Sequence, residues 1–269
     1  MNVRRVTLAM DTTHRNQHAL RDAARIASRM QAEVTALFVT NTSLQRFAAL
    51  PTATEVSIHS ARTRRLDPND LASDLDRLIG SITRELREFA REMDVAWKVV
   101  STPLEKLPAI PATDLLLVER RAGHTPVSRA ELGSVAAKLV AECRESILVF
   151  ERELALEKPV GVLLGPQGGG ALDMALGFAR ASGRLLGLIH AHDHVSFEQL
   201  SERLAEQAAK HQIALRTDWV RVPHGPLLAS SLRLHDSGLL VVDAADALLQ
   251  RERLAGLLDA LRIPVLLTR

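Results

Sequence analysis

The sequence is poor in the residues that many binding and redox sites need. Cysteine occurs once, as Cys143, tyrosine is absent, and aromatic residues make up only 3% of the 269 residues. A single cysteine excludes intrachain disulfides and CxxC metal or redox motifs. Few aromatic side chains are available to stack on single-stranded bases, and 34 basic residues against 32 acidic ones form no polycationic excess. We therefore expect no nucleic-acid partner.

Long apolar segments are also missing. No stretch approaches the roughly 20 apolar residues that span a bilayer, and the N-terminal MNVRRVT lacks the apolar region of a secretory signal. Hydrophobic residues at 46% and charged residues at 25% are typical of a globular chain. We expect a cytoplasmic protein without a membrane partner, and the length favours two domains of ordinary size.

Short aliphatic runs alternate with amphipathic helical patterns in the first part of the chain. Helical spacing of apolar residues predicts three helices, the longest of which opens at Asp67-Pro68. The aliphatic runs predict strands at residues 6–10, 34–39, 95–100, 114–118 and 147–150. Strands that alternate with helices predict an α/β fold with a parallel sheet covered on both faces.

The pattern then repeats. ALRDAARIA at residues 19–27 is echoed by ALDMALGFA at residues 171–179, and DLLLV at 114–118 is echoed by GLLVV at 238–242. The repetition predicts two tandem doubly wound, Rossmann-like domains, at residues 1–152 and 157–269. Each ends on an aliphatic strand, and we expect these two strands to pair within the chain and cover exposed sheet edges.

Two features distinguish the repeats. Residues 41–66 form an insertion that ends in the basic sequence RTRR, and it is interpreted either as a lid or partner site or as a solvated loop. Pro103, Pro108 and Pro111 leave little room for a crossover helix in the first repeat. The second repeat is predicted to keep that helix, at residues 226–234.

Motifs in the first repeat resemble the universal stress protein family. Its nucleotide-binding members have G-x-x-G, nine residues and then G-[ST], and this chain has Arg120-x-x-Gly123, nine residues and then Gly133-Ser134. Three of the four marked positions match, after a strand that ends in Asp11. The resemblance covers nearly the whole chain, twice, and implies the adenine nucleotide alpha hydrolase-like variety of the doubly wound fold.

The resemblance implies a site for ATP or another adenine nucleotide in the first repeat. Asp11 ends a parallel strand, where open α/β folds bind ligands and where ribose hydroxyls find an acceptor. Free backbone N–H groups at a helix N-terminus suit phosphate; the alternative for Asp11 and Ser134 is helix capping alone. The implied site consists of Met10, Asp11, Val39, Arg120, Gly123, Gly133, Ser134 and Val135, with Met10 and Val39 flanking the adenine through their backbone.

Arg120 stands where the family motif has its first glycine. Its side chain either fills the phosphate pocket or adds a positive charge to it, and the sequence leaves both readings open. In the second repeat GPQGGG at residues 165–170 replaces the acid, and Asp243 and Asp246 stand where phosphate would bind. We expect the second repeat to bind no ATP and to have a structural, pairing role.

A histidine pattern in the second repeat invites a metal-site reading. His190, His192 and His194 alternate along the chain. However, Ser196-x-x-Gln199 predicts a capping box that would place the last two histidines in an exposed turn. We therefore predict no metal site.

Catalytic motifs are missing from the sequence. There is no G-x-S-x-G elbow and no adenylate-transfer motif, and Cys143 falls in a predicted helix rather than in an activating loop. We expect a non-enzymatic binding protein of stress-response regulation, for which a homodimer remains open. The alternatives are a nucleotide-free interaction protein whose pocket Arg120 occludes and, third, a slow ATP hydrolase.

Overall fold

The computed structural model describes most of the chain. The description covers residues 3–11, 17–40, 46–57, 61–103, 113–120, 134–151, 154–165, 170–190, 193–220, 236–245, 258, 261 and 263–269. The first part contains β1 (Arg5–Asp11), α1 (Gln17–Met30), β2 (Glu33–Thr40), β3 (Thr54–Val56), β4 (Thr63–Arg65), α2 (Pro68–Glu92), β5 (Trp97–Pro103), β6 (Leu115–Glu119), α3 (Ser134–Glu142) and β7 (Ser146–Phe150). The remainder contains β8 (Val160–Leu164), α4 (Gly170–Ser182), β9 (Arg184–Ile189), α5 (His194–Lys210), β10 (Ala214–Trp219), β11 (Leu239–Asp243) and β12 (Val265–Thr268).

Ten of these strands form one continuous sheet in the order β10-β9-β8-β11-β12-β7-β6-β1-β2-β5. All neighbours are parallel except β12 and β7. We call the part from β1 to β7 the first half and the part from β8 to β12 the second half. Each half places its main-sheet strands in the same order, third-second-first-fourth-fifth. The prediction of an α/β fold with doubly wound parallel strands is confirmed.

The halves meet through their last strands. β12 runs antiparallel to β7, with Leu266 opposite Leu148 and Leu267 opposite Ile147. These four side chains are fully buried, because each strand has sheet neighbours on both sides and helices or chain over both faces. The predicted pairing of the final strands is confirmed, and it removes two exposed edges from the middle of the sheet. The division into domains at residues 1–152 and 157–269 stays a prediction.

Two aliphatic cores lie on opposite faces of the sheet. One contains the buried residues of α1, α2, α4 and α5, and the other contains those of α3 together with Leu258 and Leu261. Strand residues alternate between them, so that Leu148 of β7 faces the first core and Ile147 faces the second. Such near-continuous aliphatic strands are what a sheet covered on both faces requires.

The long helix α2 begins where the sequence predicts. Asp67 is its N-cap and accepts a hydrogen bond from the Asn69 N–H at 2.8 Å, and Pro68 is the first helical residue. Proline is favoured there because the first helical N–H has no partner within the helix. Its buried residues, Ile82, Leu86 and Ala90, all lie in its second half.

The insertion contains a β-hairpin that the sequence analysis did not predict. β3 and β4 pair antiparallel, and Ala48 and Ala53 beside them are buried. Phe47, Leu50 and Val56, in contrast, are 48%, 50% and 62% exposed. Among the described residues, no helix has the length and apolarity needed to cross a membrane. The predicted crossover helix at residues 226–234 lies outside the described residues.

Candidate functional site

The candidate site lies at the carboxyl edge of the first half. β1 ends at Asp11, which is in register with Val39 of β2, and Met10 is in register with Phe38. Met10 and Val39 are 5% and 2% exposed. Parallel strands bring the predicted residues Met10, Asp11 and Val39 together because their carboxyl ends share one edge.

The phosphate-binding part of the predicted site is described only in part. Helix α3 begins at Ser134 and continues through Val135, so both residues belong to its first turn, where backbone N–H groups have no partner within the helix. Gly123 and Gly133 lie outside the described residues. The predicted helix N-terminus after Gly133 is therefore present.

Arg120 follows β6 directly and is 3% exposed. Its backbone N–H donates to the Phe150 carbonyl at 2.6 Å, which extends the pairing of β6 and β7 by one residue. Its guanidinium Nη1 donates to the Leu261 carbonyl at 3.0 Å, in the second half. This contact joins the edge of the first half to the segment that precedes β12. Sequence reasoning placed Arg120 at the edge but found no sign of this partner, which is 141 positions away.

The corresponding edge of the second half has different residues. Gly165 is buried and directly follows β8. It stands at the position that matches Asp11, the last residue of β1. His190 follows β9, and its Nδ1 lies 3.2 Å from the Val220 carbonyl oxygen. Asp243 ends β11, and its carboxylate accepts a hydrogen bond from the Ala245 N–H at 2.9 Å. Among the described residues, no group of three or more His, Cys, Asp or Glu side chains is arranged to hold a metal ion.

The predicted capping box of α5 is wrong. The N-cap is Asp193, whose carboxylate accepts from the Ser196 N–H at 2.7 Å, and the helix starts at His194. Asp193 is the N-cap because its carboxylate accepts a hydrogen bond from the N–H of Ser196, the third helical residue. Ser196 therefore lies inside the first turn. His194 then packs edge-on against Trp219, with ring centroids 5.7 Å apart.

Asp22 is a buried carboxylate that the sequence analysis did not single out. It lies on α1 with a fully buried side chain and accepts a hydrogen bond from the Leu154 N–H at 2.8 Å. Arg25, one turn later, donates to its other oxygen at 3.1 Å. Leu154 belongs to the segment between the halves, so Asp22 ties that segment to α1. The sequence did contain a signal for this contact, because an acid within the apolar face of a helix needs a partner when it is buried.

The only cysteine is poorly suited to nucleophilic chemistry. Cys143 follows α3 and is buried, and that burial, together with Glu145, raises the pKa of its thiol to about 11. Arg269 opposes the rise but does not cancel it. Near neutral pH the thiol is therefore protonated, and the protonated form is the unreactive one.

These features define a class: a doubly wound α/β protein whose parallel strands end at an open edge beside a helix N-terminus. The sequence profile of the universal stress protein family matches residues 2–151. Since that match spans more than half of the 269 residues, the chain belongs to the universal stress protein family. No curated protein matches the sequence.

Solved structures of similar fold support this class over the whole chain. A universal stress protein from Archaeoglobus fulgidus superposes with a TM-score of 0.65 at 14% identity, covering 98% of each chain. A putative universal stress protein from Pseudomonas aeruginosa has a TM-score of 0.57 at 16% identity, covering 99% of this chain and 93% of its own. A functionally unknown protein from the same species has a TM-score of 0.56 at 15% identity, covering 99% and 92%. At such low identity the likeness concerns the fold alone.

Proposed function

We propose that this chain is a stress-response regulatory protein that binds ATP or another adenine nucleotide at the carboxyl edge of its first half, without turning it over. The observation that carries the proposal is the register of β1 and β2, which brings Met10, Asp11 and Val39 to one edge. Membership of the universal stress protein family supports a role in stress responses.

The chemistry of this edge suits a nucleotide. Asp11 supplies an acceptor for ribose hydroxyls, and the backbone of Met10 and Val39 offers a flat, polar edge to an adenine ring. The first turn of α3 offers N–H groups to phosphate, where the helix dipole also favours negative charge. In the second half, Gly165 replaces Asp11 and Asp243 adds a negative charge. We therefore propose that only the first half binds.

Arg120 favours a second candidate function, that of a nucleotide-free interaction protein. Its guanidinium is buried and donates to the Leu261 carbonyl. Moving the guanidinium to a phosphate would cost this hydrogen bond, and a buried carbonyl without a donor is costly. If the arginine stays in place, its Nη1 donates to the Leu261 carbonyl rather than to a triphosphate.

Titration calorimetry with ATP, ADP and AMP tests the first candidate against the second. The wild type should bind, and Asp11→Asn should weaken binding about ten-fold or more, because a charged hydrogen bond contributes about 1.5–3 kcal/mol. Gly133→Trp, which blocks the proposed phosphate turn, should abolish binding. Asp243→Asn is the matched control in the second half and should bind as the wild type does. No heat of binding with any of the three nucleotides would instead favour the interaction protein.

Two further measurements separate the remaining readings. Arg120→Met should leave ATP affinity unchanged if the guanidinium only joins the halves, and should raise it if the side chain occludes the pocket. Release of ADP and phosphate, followed over hours with the wild type, should stay at the buffer background. Turnover above that background would contradict the non-catalytic role and favour a slow hydrolase.

A further inference from the structure

A groove lies between the first helices of the two halves, on the sheet face opposite α3. It is bounded by α1 and α4 and by the chain segments that precede β1 and β8, and its volume is about 460 Å³. Small-molecule sites generally fall between about 300 and 1,000 Å³. We call it the interhelical groove. It is separate from the candidate nucleotide site, which lies at the carboxyl edge of the sheet.

The floor of the interhelical groove is apolar. Its apolar lining consists of Val3, Ile26, Met30, Leu156, Met174 and Phe178. Five of the six are at most 5% exposed, and Met30 is half-buried. Two methionines make such a floor adaptable, because their unbranched side chains repack easily around a guest. An aliphatic chain is the occupant that this floor suits.

The rim of the groove carries a basic excess. Arg29 near the end of α1 and Arg180 near the end of α4 both line it and are exposed, together with one acid, Asp173. Within the described part of the chain, neither arginine forms an ion pair, and Arg180 Nη2 lies 3.2 Å from His211 Nδ1. Asp173 and Arg180 lie about 10 Å apart along the helix axis, and the two arginines outnumber the one acid on the rim.

Gly177 keeps the groove open. It is exposed on α4 between Asp173 and Arg180, and a Cβ built there would meet no atom within 4 Å. Any larger residue at this position would project into the space between the helices. Glycine is an unfavourable residue inside a helix by about 1 kcal/mol relative to alanine, and no close backbone contact explains its presence here.

From this combination of apolar floor, basic rim and open glycine we propose that the interhelical groove binds a small amphipathic carboxylate, with its aliphatic chain on the floor and its carboxylate on Arg29 and Arg180. Such a ligand contacts α1 of one half and α4 of the other. It also touches Leu156, in the segment that Asp22 ties to α1 through Leu154. A bound ligand would therefore bridge the two halves.

Sodium decanoate is the probe, with 1-decanol and sodium acetate as the two partial ligands. Binding to the full chain is measured by native mass spectrometry and by titration calorimetry, below the concentration at which decanoate forms micelles. The wild type should bind decanoate, bind decanol about a hundred-fold more weakly because the charge-assisted hydrogen bonds to both arginines are lost, and not bind acetate. Arg29→Ala and Arg180→Ala should each weaken decanoate binding about ten-fold and leave decanol binding unchanged.

Gly177→Phe supplies the decisive comparison, because it adds a large side chain to the groove at a position where a Cβ meets no atom within 4 Å. The matched control is Gly80→Phe, a helical glycine of α2 that likewise has no atom within 4 Å of a built Cβ. We expect Gly177→Phe to abolish decanoate binding and Gly80→Phe to retain it, with both variants folded by circular dichroism. The proposal is overturned if the wild type does not bind decanoate, if decanol binds equally well, or if Gly177→Phe binds like the control.

Discussion

The two halves share one strand order, but the residue before the fourth strand differs between them. In the first half it is Asp114, whose carboxylate accepts hydrogen bonds from the N–H groups of Arg4 and Arg5 at 2.9 and 3.0 Å. In the second half it is Gly238, where a Cβ would overlap the Ala155 carbonyl oxygen and come within 2.9 Å of Lys158 Cβ. The segment that joins the halves therefore passes over the position that the carboxylate occupies in the first half.

A second matched position differs in the strand beside the first one. Ala36 of β2 pairs with Leu8, and Gly187 of β9 pairs with Val162. Each pair lies two residues beyond the matched pairs Val6–Val34 and Val160–Leu185. A Cβ at Gly187 would overlap Leu204 Cδ2 of α5. The Leu204 side chain thus occupies the space that an alanine methyl would take at this position. The comparison shows that aliphatic strands maintain the repeated strand order. The joining segment and the covering helices determine which residue fits at individual positions.

Asp22→Ala is expected to cause the largest loss of stability. This acid is present in the first half only, since Met174 stands at the matched position of α4. The variant removes the acceptor of the buried Leu154 N–H and of one hydrogen bond from the Arg25 guanidinium. The free energy of unfolding should fall by about 3 kcal/mol, measured by urea unfolding. Asp173→Ala, an exposed acid of α4, should change it by less than about 0.5 kcal/mol. Equal losses of stability in the two variants would contradict a role for Asp22 in joining the halves.

Gly238→Ala should lower the free energy of unfolding by about 2–3 kcal/mol, since the new methyl meets the Ala155 backbone, which cannot turn aside as a side chain does. Asp114→Ala at the matched position should cost about 1–2 kcal/mol, because its two hydrogen bonds are partly exposed. Thermal unfolding of both variants gives the comparison. If Gly238→Ala is as stable as the wild type, the joining segment does not constrain this position.

Gly187→Ala is expected to cost about 1–2 kcal/mol through overpacking against Leu204, which is fully buried. The reverse change in the first half, Ala36→Gly, should cost about 1 kcal/mol through lost packing and added chain entropy. A double-mutant cycle of Gly187→Ala with Leu204→Ala tests the cause. The stability losses of the two single variants should not add in the double variant, because alanine at position 204 makes room for the new methyl. Strict additivity would instead assign the loss in Gly187→Ala to the strand itself.

Cys143 gives the smallest effect and has a counterpart in the second half. Cys143 lies four residues before Ile147, as Leu261 lies four residues before Val265, and both are buried. We expect iodoacetamide to leave the native thiol unmodified at pH 8 and to modify it in urea, as read by mass spectrometry. Because the folded pKa of about 11 is raised, stability should decline as pH rises towards that value. Rapid modification of the native protein would contradict this packing role.

Much of the fold was predictable because local patterns and tertiary needs agree. The strands are short aliphatic runs, and Asp67-Pro68 opens α2 as its residue types predict. The start of α5 was misplaced because Asp193 and Ser196 are both good capping residues and only the backbone geometry selects the first. The β3–β4 hairpin was missed because its strands are three residues long, too short for a periodic pattern.

The sequence by itself determined the repeated order of strands and helices and the end of β1 at Asp11. Those features depend on apolar periodicity and on residue types that act locally. Only the tertiary structure decided where the Arg120 guanidinium and the Asp22 carboxylate find their partners, and that the first helices of the two halves enclose a groove. The reason is physical: such contacts join residues more than a hundred positions apart, and their distances depend on how the helices and the joining segment pack on the sheet.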